Sequence, residues 1–223
     1  MGQLANYQRQ LGILPPKLLN RQFVLIGAGG IGSPLAFTLA KMGVTNFTVW
    51  DDDTVETHNL PNQFYKLTQL GESKAASLAA NLREYAQIKV NAIARKYDGT
   101  ELLEGIAFSA VDSLDARRII WEGIQKSPKI TLYVEARMAG ELFQIYPMVM
   151  GDARYTEPYS KMLARKTKPF VAACTAAAIF YTVMASAGIM GEVLKTYLTG
   201  GKVPSSVTVD LKNYRMVVEY PRG

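Results

Sequence analysis

Residues 23–44, FVLIGAGGIGSPLAFTLAKMGV, constrain this chain more than any other stretch. A short, wholly apolar run passes into four glycines within six residues, and a helical pattern follows, with Pro34 in its first turn and Gly43 near its end. An apolar run without alternation reads as a strand buried on both faces. Such a strand needs parallel neighbours and a layer of helices above and below. The remaining pattern supplies them. NFTVW (46–50) is a strand stopping at Asp51, ESKAASLAANLREYA (72–86) a helix, and IKVNAIA (88–94) and IAFSAV (106–111) are strands, the second reaching Asp112. SLDARRIIWEGIQ (113–125) is a helix, ITLYVEAR (130–137) a fifth strand, and ELFQIYPMVM (141–150) a further strand expected to run antiparallel. Residues 151–170 carry Gly, Pro, Tyr and five basic residues with little periodicity, which predicts a long surface loop. Residues 173–198 predict one long helix, and 205–211 with 215–220 a terminal hairpin. The expected fold is α/β: a mostly parallel sheet with helices on both faces and antiparallel strands at the C-terminal end, in one domain over residues 1–223.

Composition narrows the setting. With 48% hydrophobic and 20% charged residues, the chain has the make-up of a soluble globular protein. A net charge of +6 admits anionic ligands without demanding nucleic acid, and the basic stretch RYTEPYSKMLARKTKP forms no stripe along a regular element. One cysteine excludes an internal disulfide and a cysteine-only zinc site. MGQLANYQRQ has no signal-peptide core, and the apolar segment 170–190 is broken by Cys174, Thr175, Thr182, Ser186 and Gly188, so a buried helix and a cytoplasmic protein are expected.

In parallel sheets ligands bind at the carboxyl ends of the strands. There stand Gly27, Gly29, Gly30 and Gly32 after the first strand, Asp51 after the second and Asp112 after the fourth. GAGGIG satisfies G-x-G-x-x-G, whose glycines let backbone N–H groups approach a phosphate at the positive end of a helix. Asp51 is placed to accept hydrogen bonds from a ribose, while Asp52 and Asp53 read as a polar turn. A nicotinamide dehydrogenase uses the same glycines and the same acidic position, but normally adds a catalytic domain for which this chain leaves little room.

DDDTVETHNLPNQFY followed by LGESKAASLAANL resembles the nucleotide-binding core of the ThiF/MoeB/HesA family, the adenylation domain shared with ubiquitin-activating enzymes. That pattern runs from a glycine turn to Asp-x-Asp (Asp51, Asp53), Asn-Leu-x-Arg-Gln (here NLPNQ), Gly-x-x-Lys (Gly71 to Lys74) and an Asp after the fourth strand (Asp112). YQRQLGIL resembles the family's Arg-Gln element, and the likeness covers about residues 6 to 200. It implies a Rossmann-like fold and an ATP-dependent adenylyltransferase. Such an enzyme activates the C-terminal carboxylate of a small ubiquitin-like or sulfur-carrier protein, with no nucleic acid or membrane as partner. It further implies that Lys74 contacts phosphate, Asp112 holds Mg²⁺, and Asn59, Asn62 and Gln63 line the nucleotide pocket. Arg9 would reach the phosphates from the second subunit of a homodimer, and residues 151–170 would be a crossover covering the carrier's tail. Two plainer roles stay open: Lys74 as a surface lysine on its helix and Asp112 as a helix cap.

Two departures matter. Asn62 stands where the family commonly has Arg, removing a guanidinium that Asn cannot replace. Either another cation compensates, with Arg137 as the candidate, or the chain is a catalytically impaired nucleotide-binding or partner-subunit module. The family's two Cys-x-x-Cys pairs are absent, and with them the zinc site. Cys174 reads as a packed residue rather than a thioester nucleophile, and the single histidine, His58, as incidental.

Overall fold

The computed structural model describes residues 7–165 and 178–222. An eight-stranded sheet runs in the order β3-β2-β1-β4-β5-β6-β7-β8. β1 (Phe23–Ile26), β2 (Asn46–Trp50), β3 (Lys89–Ile93), β4 (Glu104–Ser109) and β5 (Lys129–Ala139) are parallel, and β6 (Leu142–Val149), β7 (Ser206–Asp210) and β8 (Arg215–Glu219) complete it antiparallel. The fold is therefore the Rossmann-like α/β sheet with antiparallel C-terminal strands that the pattern predicts. Its order reverses between β1 and β4, so their carboxyl ends open the crevice where ligands of such sheets bind.

Helices cover both faces. α1 (Gly32–Met42), α2 (Lys74–Ala86) and α5 (Phe180–Leu198) pack on one face against Phe23, Leu25, Phe47, Val49, Ile106, Phe108, Leu132 and Val134. α3 (Leu114–Lys126) and α4 (Ala153–Ala164) pack on the other against Val24, Ile26, Ala107 and Tyr133. Alternate residues of one strand thus serve two separate cores, which is why β1 shows no polar positions at all: all four of its residues are buried. Among the described residues no helix is long and apolar enough to cross a membrane.

Two expectations need correction. The segment expected as a loop over 151–170 contains α4. Asp152 caps it by accepting from Arg154 N–H, and Tyr155, Tyr159 and Leu163 recur every fourth residue on its inner face. Pro158 lies inside the helix on the exposed side, where water can take the carbonyl that its missing N–H leaves free. The long C-terminal helix begins only at Phe180, because Ala178 and Ile179 are not helical and Ile179 is extended, with φ −98° and ψ 148°. Cys174 lies outside the described residues.

Candidate functional site

The glycine turn is built by steric exclusion. Gly27 has φ +93°, and a Cβ there would lie 2.7 Å from the Ala110 carbonyl oxygen, across the β1–β4 junction. A Cβ on Gly32 would stand 1.9 Å from the Gly27 oxygen, so α1 can start this close to the strand only without a side chain. Gly29 differs, with nothing within 4 Å of its missing Cβ, and Gly30 meets only Val183 at 3.8 Å. Two glycines thus close the turn, while Gly29 leaves open space above it, as a phosphate-approach position requires.

Asp51 secures the turn from the end of β2. One carboxylate oxygen accepts Ala28 N–H at 2.6 Å and the other accepts Asp53 N–H at 2.9 Å. Burial pushes its carboxyl above the ordinary value of 3.8, and the two backbone donors and the Lys74 charge offset this only in part. Each oxygen keeps a further acceptor site, so a ribose contact remains open to it. The loop that follows is stitched to the same turn. Tyr65 O–H donates to the Ala28 carbonyl at 2.6 Å, Ser33 O–H to the Gly29 carbonyl at 2.8 Å, and Phe64 N–H to Ser33 Oγ at 3.1 Å.

Lys74 is no surface lysine. It is the first residue of α2, only 6% exposed, where the positive end of the helix disfavours a cation. Its ammonium lies 2.9 Å from Asp53 Oδ2, and Asp53 is the exposed partner, with its side chain 63% accessible against 8% for the lysine. The backbone joins the same residues, Lys74 N–H donating to the Asp53 carbonyl. A buried cation and an exposed counter-ion thus meet at a helix N-terminus, an arrangement in which an anion would be favoured.

Asp112 follows β4 at the crevice, exposed, and among the described residues its carboxylate has no hydrogen bond or ion pair. Ser113, not Asp112, caps α3, by accepting Ala116 N–H at 3.1 Å. This removes the helix-cap reading of Asp112. Among the described residues no group of three or more His, Cys, Asp or Glu is placed to hold a metal. One free carboxylate fits Mg²⁺, which takes one or two protein carboxylates and fills its octahedron with phosphate oxygens and water. Arg9 lies exposed in a 3-10 turn over Gln8–Gln10 ahead of β1.

Four expected site residues are found in other surroundings. Asn59 is 4% exposed and spends its side-chain oxygen on Glu56 N–H, a local cap rather than a free pocket wall. Asn62 donates to the Ala178 carbonyl at 3.3 Å, and its Oδ1 is buried without a partner. Gln63 lines a cavity of about 330 Å³ between Phe37, Phe64, Tyr85 and Phe180, to which neither the glycine turn nor Asp51, Lys74 or Asp112 contributes. Arg137 is the clearest correction. Its guanidinium grips Glu135 at 2.7 and 2.9 Å on the face covered by α3 and α4, opposite the face that carries α1 behind the glycine turn. It is held there, so it does not replace the charge missing at position 62.

That carboxylate is the feature sequence reasoning missed. Glu135 is wholly buried, accepts Tyr159 O–H from α4, and has Arg117 Nε of α3 at 2.6 Å, an ion pair whose N–H does not line up as a hydrogen bond. A charged residue inside the apolar run ITLYVEAR was the available signal.

The chain is similar in sequence and in fold to known proteins. A family model described as the ThiF family matches residues 7–221. The maize adenylyltransferase and sulfurtransferase MOCS3-1 is 39% identical over 118 residues, 47% of this chain and 24% of that protein. The SAMP-activating enzyme E1 of Haloferax volcanii is 36% identical over 97 residues, 43% of this chain and 36% of that protein. In fold, Escherichia coli MccB with ATP superposes with a TM-score of 0.73 at 18% identity, over 92% of this chain and 65% of that one. The matched part is thus about a quarter to a third of the curated relatives' length. Because the family match runs from the first described residue almost to the last, the chain belongs to the ThiF family.

Proposed function

We propose that residues 1–223 act as one adenylation domain. It uses ATP to activate the C-terminal carboxylate of a small ubiquitin-like or sulfur-carrier protein. The observation that carries this reading is Lys74, a buried ammonium at a helix N-terminus held, among the described residues, by an exposed aspartate beside an open glycine turn. The relatives' names, an adenylyltransferase and an E1 activating enzyme, point the same way.

In this reading the triphosphate lies over Gly29, and Lys74 exchanges Asp53 for phosphate oxygens. Asp51 and Asp53 bound the ribose side, with Asn59, Asn62 and Gln63 shaping the loop behind it. The carrier's carboxylate attacks the α-phosphate, its oxygen bonding to phosphorus as pyrophosphate departs. Positioning and charge neutralisation supply the rate, since no enzyme residue bonds to the substrate. Asp112 would hold Mg²⁺, which supplies further neutralisation of phosphate charge when bound. Arg9, exposed ahead of β1, enters from the second subunit of a homodimer. A cytoplasmic setting suits a chain with one cysteine.

ATP–pyrophosphate exchange with candidate carriers ending in glycine tests the proposal, beside calorimetric titration with ATP·Mg²⁺ and with NAD. Exchange, with ATP preferred over NAD, is the expected result. ATP binding without exchange for any carrier would instead favour an impaired nucleotide-binding module. Asn62 and the engaged Arg137 favour that second reading. Tight NAD binding without ATP binding would sink both and revive the dehydrogenase. Cys174→Ser is expected to keep exchange, because forming an adenylate needs no thiol. A folded Cys174→Ser protein without exchange would make the thiol part of the first step.

A further inference from the structure

The buried charges behind the crevice call for a role. Glu135 is completely buried, with Arg117 and Arg137 both paired to it and Arg117 only 12% accessible. Burying an ionic trio is a weak way to gain stability, since desolvation cancels much of the attraction, but it fixes geometry firmly. Arg117 also extends beyond Glu135. One guanidinium nitrogen donates to the Asp112 carbonyl at 3.1 Å and the other to the Val111 carbonyl. The strand leading into this loop is held a second time on the same face. Ser109 Oγ is 2.6 Å from Tyr133 Oη, and the Tyr133 ring packs against Trp121 and Tyr159. Tyr159, on α4, closes the arrangement by donating to Glu135. The loop carrying Asp112 therefore hangs from a fork whose stem is anchored in the core.

We propose that Arg117, braced by Glu135, is the positioning residue that sets where the Asp112 carboxylate stands, and so how well the crevice holds a divalent cation beside a nucleotide triphosphate. The inference rests on the metal reading of Asp112 above. Arg117 touches neither metal nor substrate. It holds the backbone of the residue that would, much as the outer partners of metal ligands do. A lysine there can keep the ion pair with Glu135, but it has no fork to span two carbonyls as well.

The test uses the full chain. ATP binding is titrated by calorimetry across a series of Mg²⁺ concentrations and again in EDTA, while hydrogen exchange is followed at the amides of residues 111–116. For Arg117→Lys the Mg²⁺ needed for tight ATP binding should rise about tenfold, the scale seen when outer-shell partners of metal sites are lost. Nucleotide affinity in EDTA and the thermal midpoint should stay as in the wild type, and the 111–116 amides should exchange faster. Arg117→Gln, which leaves Glu135 paired with Arg137 and Tyr159, keeps the proposal testable if Arg117→Lys folds poorly, and it should move the same two readouts in the same direction. A wild-type Mg²⁺ requirement in a folded variant overturns the inference, and so does unchanged exchange at 111–116. Failure of the metal reading has a different signature, namely wild-type ATP binding indifferent to Mg²⁺ while loop exchange still accelerates in the variants.

Discussion

Lys74→Ala is expected to lower adenylate formation about a hundredfold or more, the scale of losing one preorganised charge contact to a reacting phosphate, and to leave the fold nearly as stable as before. The two effects separate because the ion pair is lopsided. Removing Lys74 leaves Asp53, whose side chain is 63% accessible and can be hydrated, so no buried charge is stranded. The lysine also sits in the first turn of α2, where its charge opposes the helix dipole and alanine does not. Stability should therefore change by no more than about 1–2 kcal/mol, the loss of one charge-assisted hydrogen bond whose remaining partner water can solvate. A further mark follows at Asp51, whose carboxyl the Lys74 charge helps to hold down against burial. Without that charge its pKa rises further. A buried acid whose folded pKa lies above its unfolded one adds stability at low pH and loses it as pH rises through the folded value. Between the ordinary 3.8 and neutrality, Lys74→Ala should therefore lose stability more steeply with rising pH than the wild type. Pyrophosphate exchange and chemical denaturation at several pH values read both effects. Exchange at the wild-type rate would remove Lys74 from the phosphate site.

The sheet was legible because three of its five parallel strands run into residues that disfavour a strand: the glycine turn after β1, Asp51 after β2, Asp112 shortly after β4. The acidic loop was legible too, since two carboxylates and a lysine at fixed spacing converge on one turn once β2 and α2 lie side by side. What stayed hidden has one physical cause, burial on both faces. In β5, Leu132, Val134 and Ala136 serve the α1–α5 core, while Tyr133, Glu135 and Arg137 point to α3 and α4. An apolar run does not announce that parity, and the strand-end position of Arg137 alone points it to the crevice. Parity from Tyr133 would have placed Glu135 and Arg137 together, but nothing local shows that Arg117 and Tyr159 meet them from two helices. α4 was hidden differently. Pro158 and five basic residues spoke for a loop, and the stripe Tyr155, Tyr159, Leu163 spoke more quietly for a helix. Where the stripe meets Trp121 and Tyr133 it outweighs one missing backbone hydrogen bond.

Gly29 and Gly32 lie in the same turn but differ in what a side chain would meet, and they offer the second large effect. Gly32→Ala should destabilise the protein by about 3 kcal/mol or more, the upper range of overpacking, because the new methyl would stand 1.9 Å from a backbone oxygen that no rotamer change can move. Relief would require α1 to withdraw from the end of β1, and α1 carries Leu35 and Leu39, both fully buried in the main core. Gly29→Ala meets nothing within 4 Å and its backbone is not left-handed, so it should leave stability unchanged or raise it by up to about 1 kcal/mol through the stiffer unfolded chain. Its cost should fall on the ligand. The methyl fills the space in which a phosphate would approach the backbone N–H groups, and ATP affinity should drop about tenfold or more, the loss of roughly one charge-assisted hydrogen bond. Denaturation midpoints and ATP calorimetry on both variants separate the two roles. An unchanged midpoint for Gly32→Ala would contradict the close approach of α1 to β1. An unchanged ATP affinity for folded Gly29→Ala would move the phosphate away from the turn, leaving Lys74 and Asp53 to bind it from the α2 side alone.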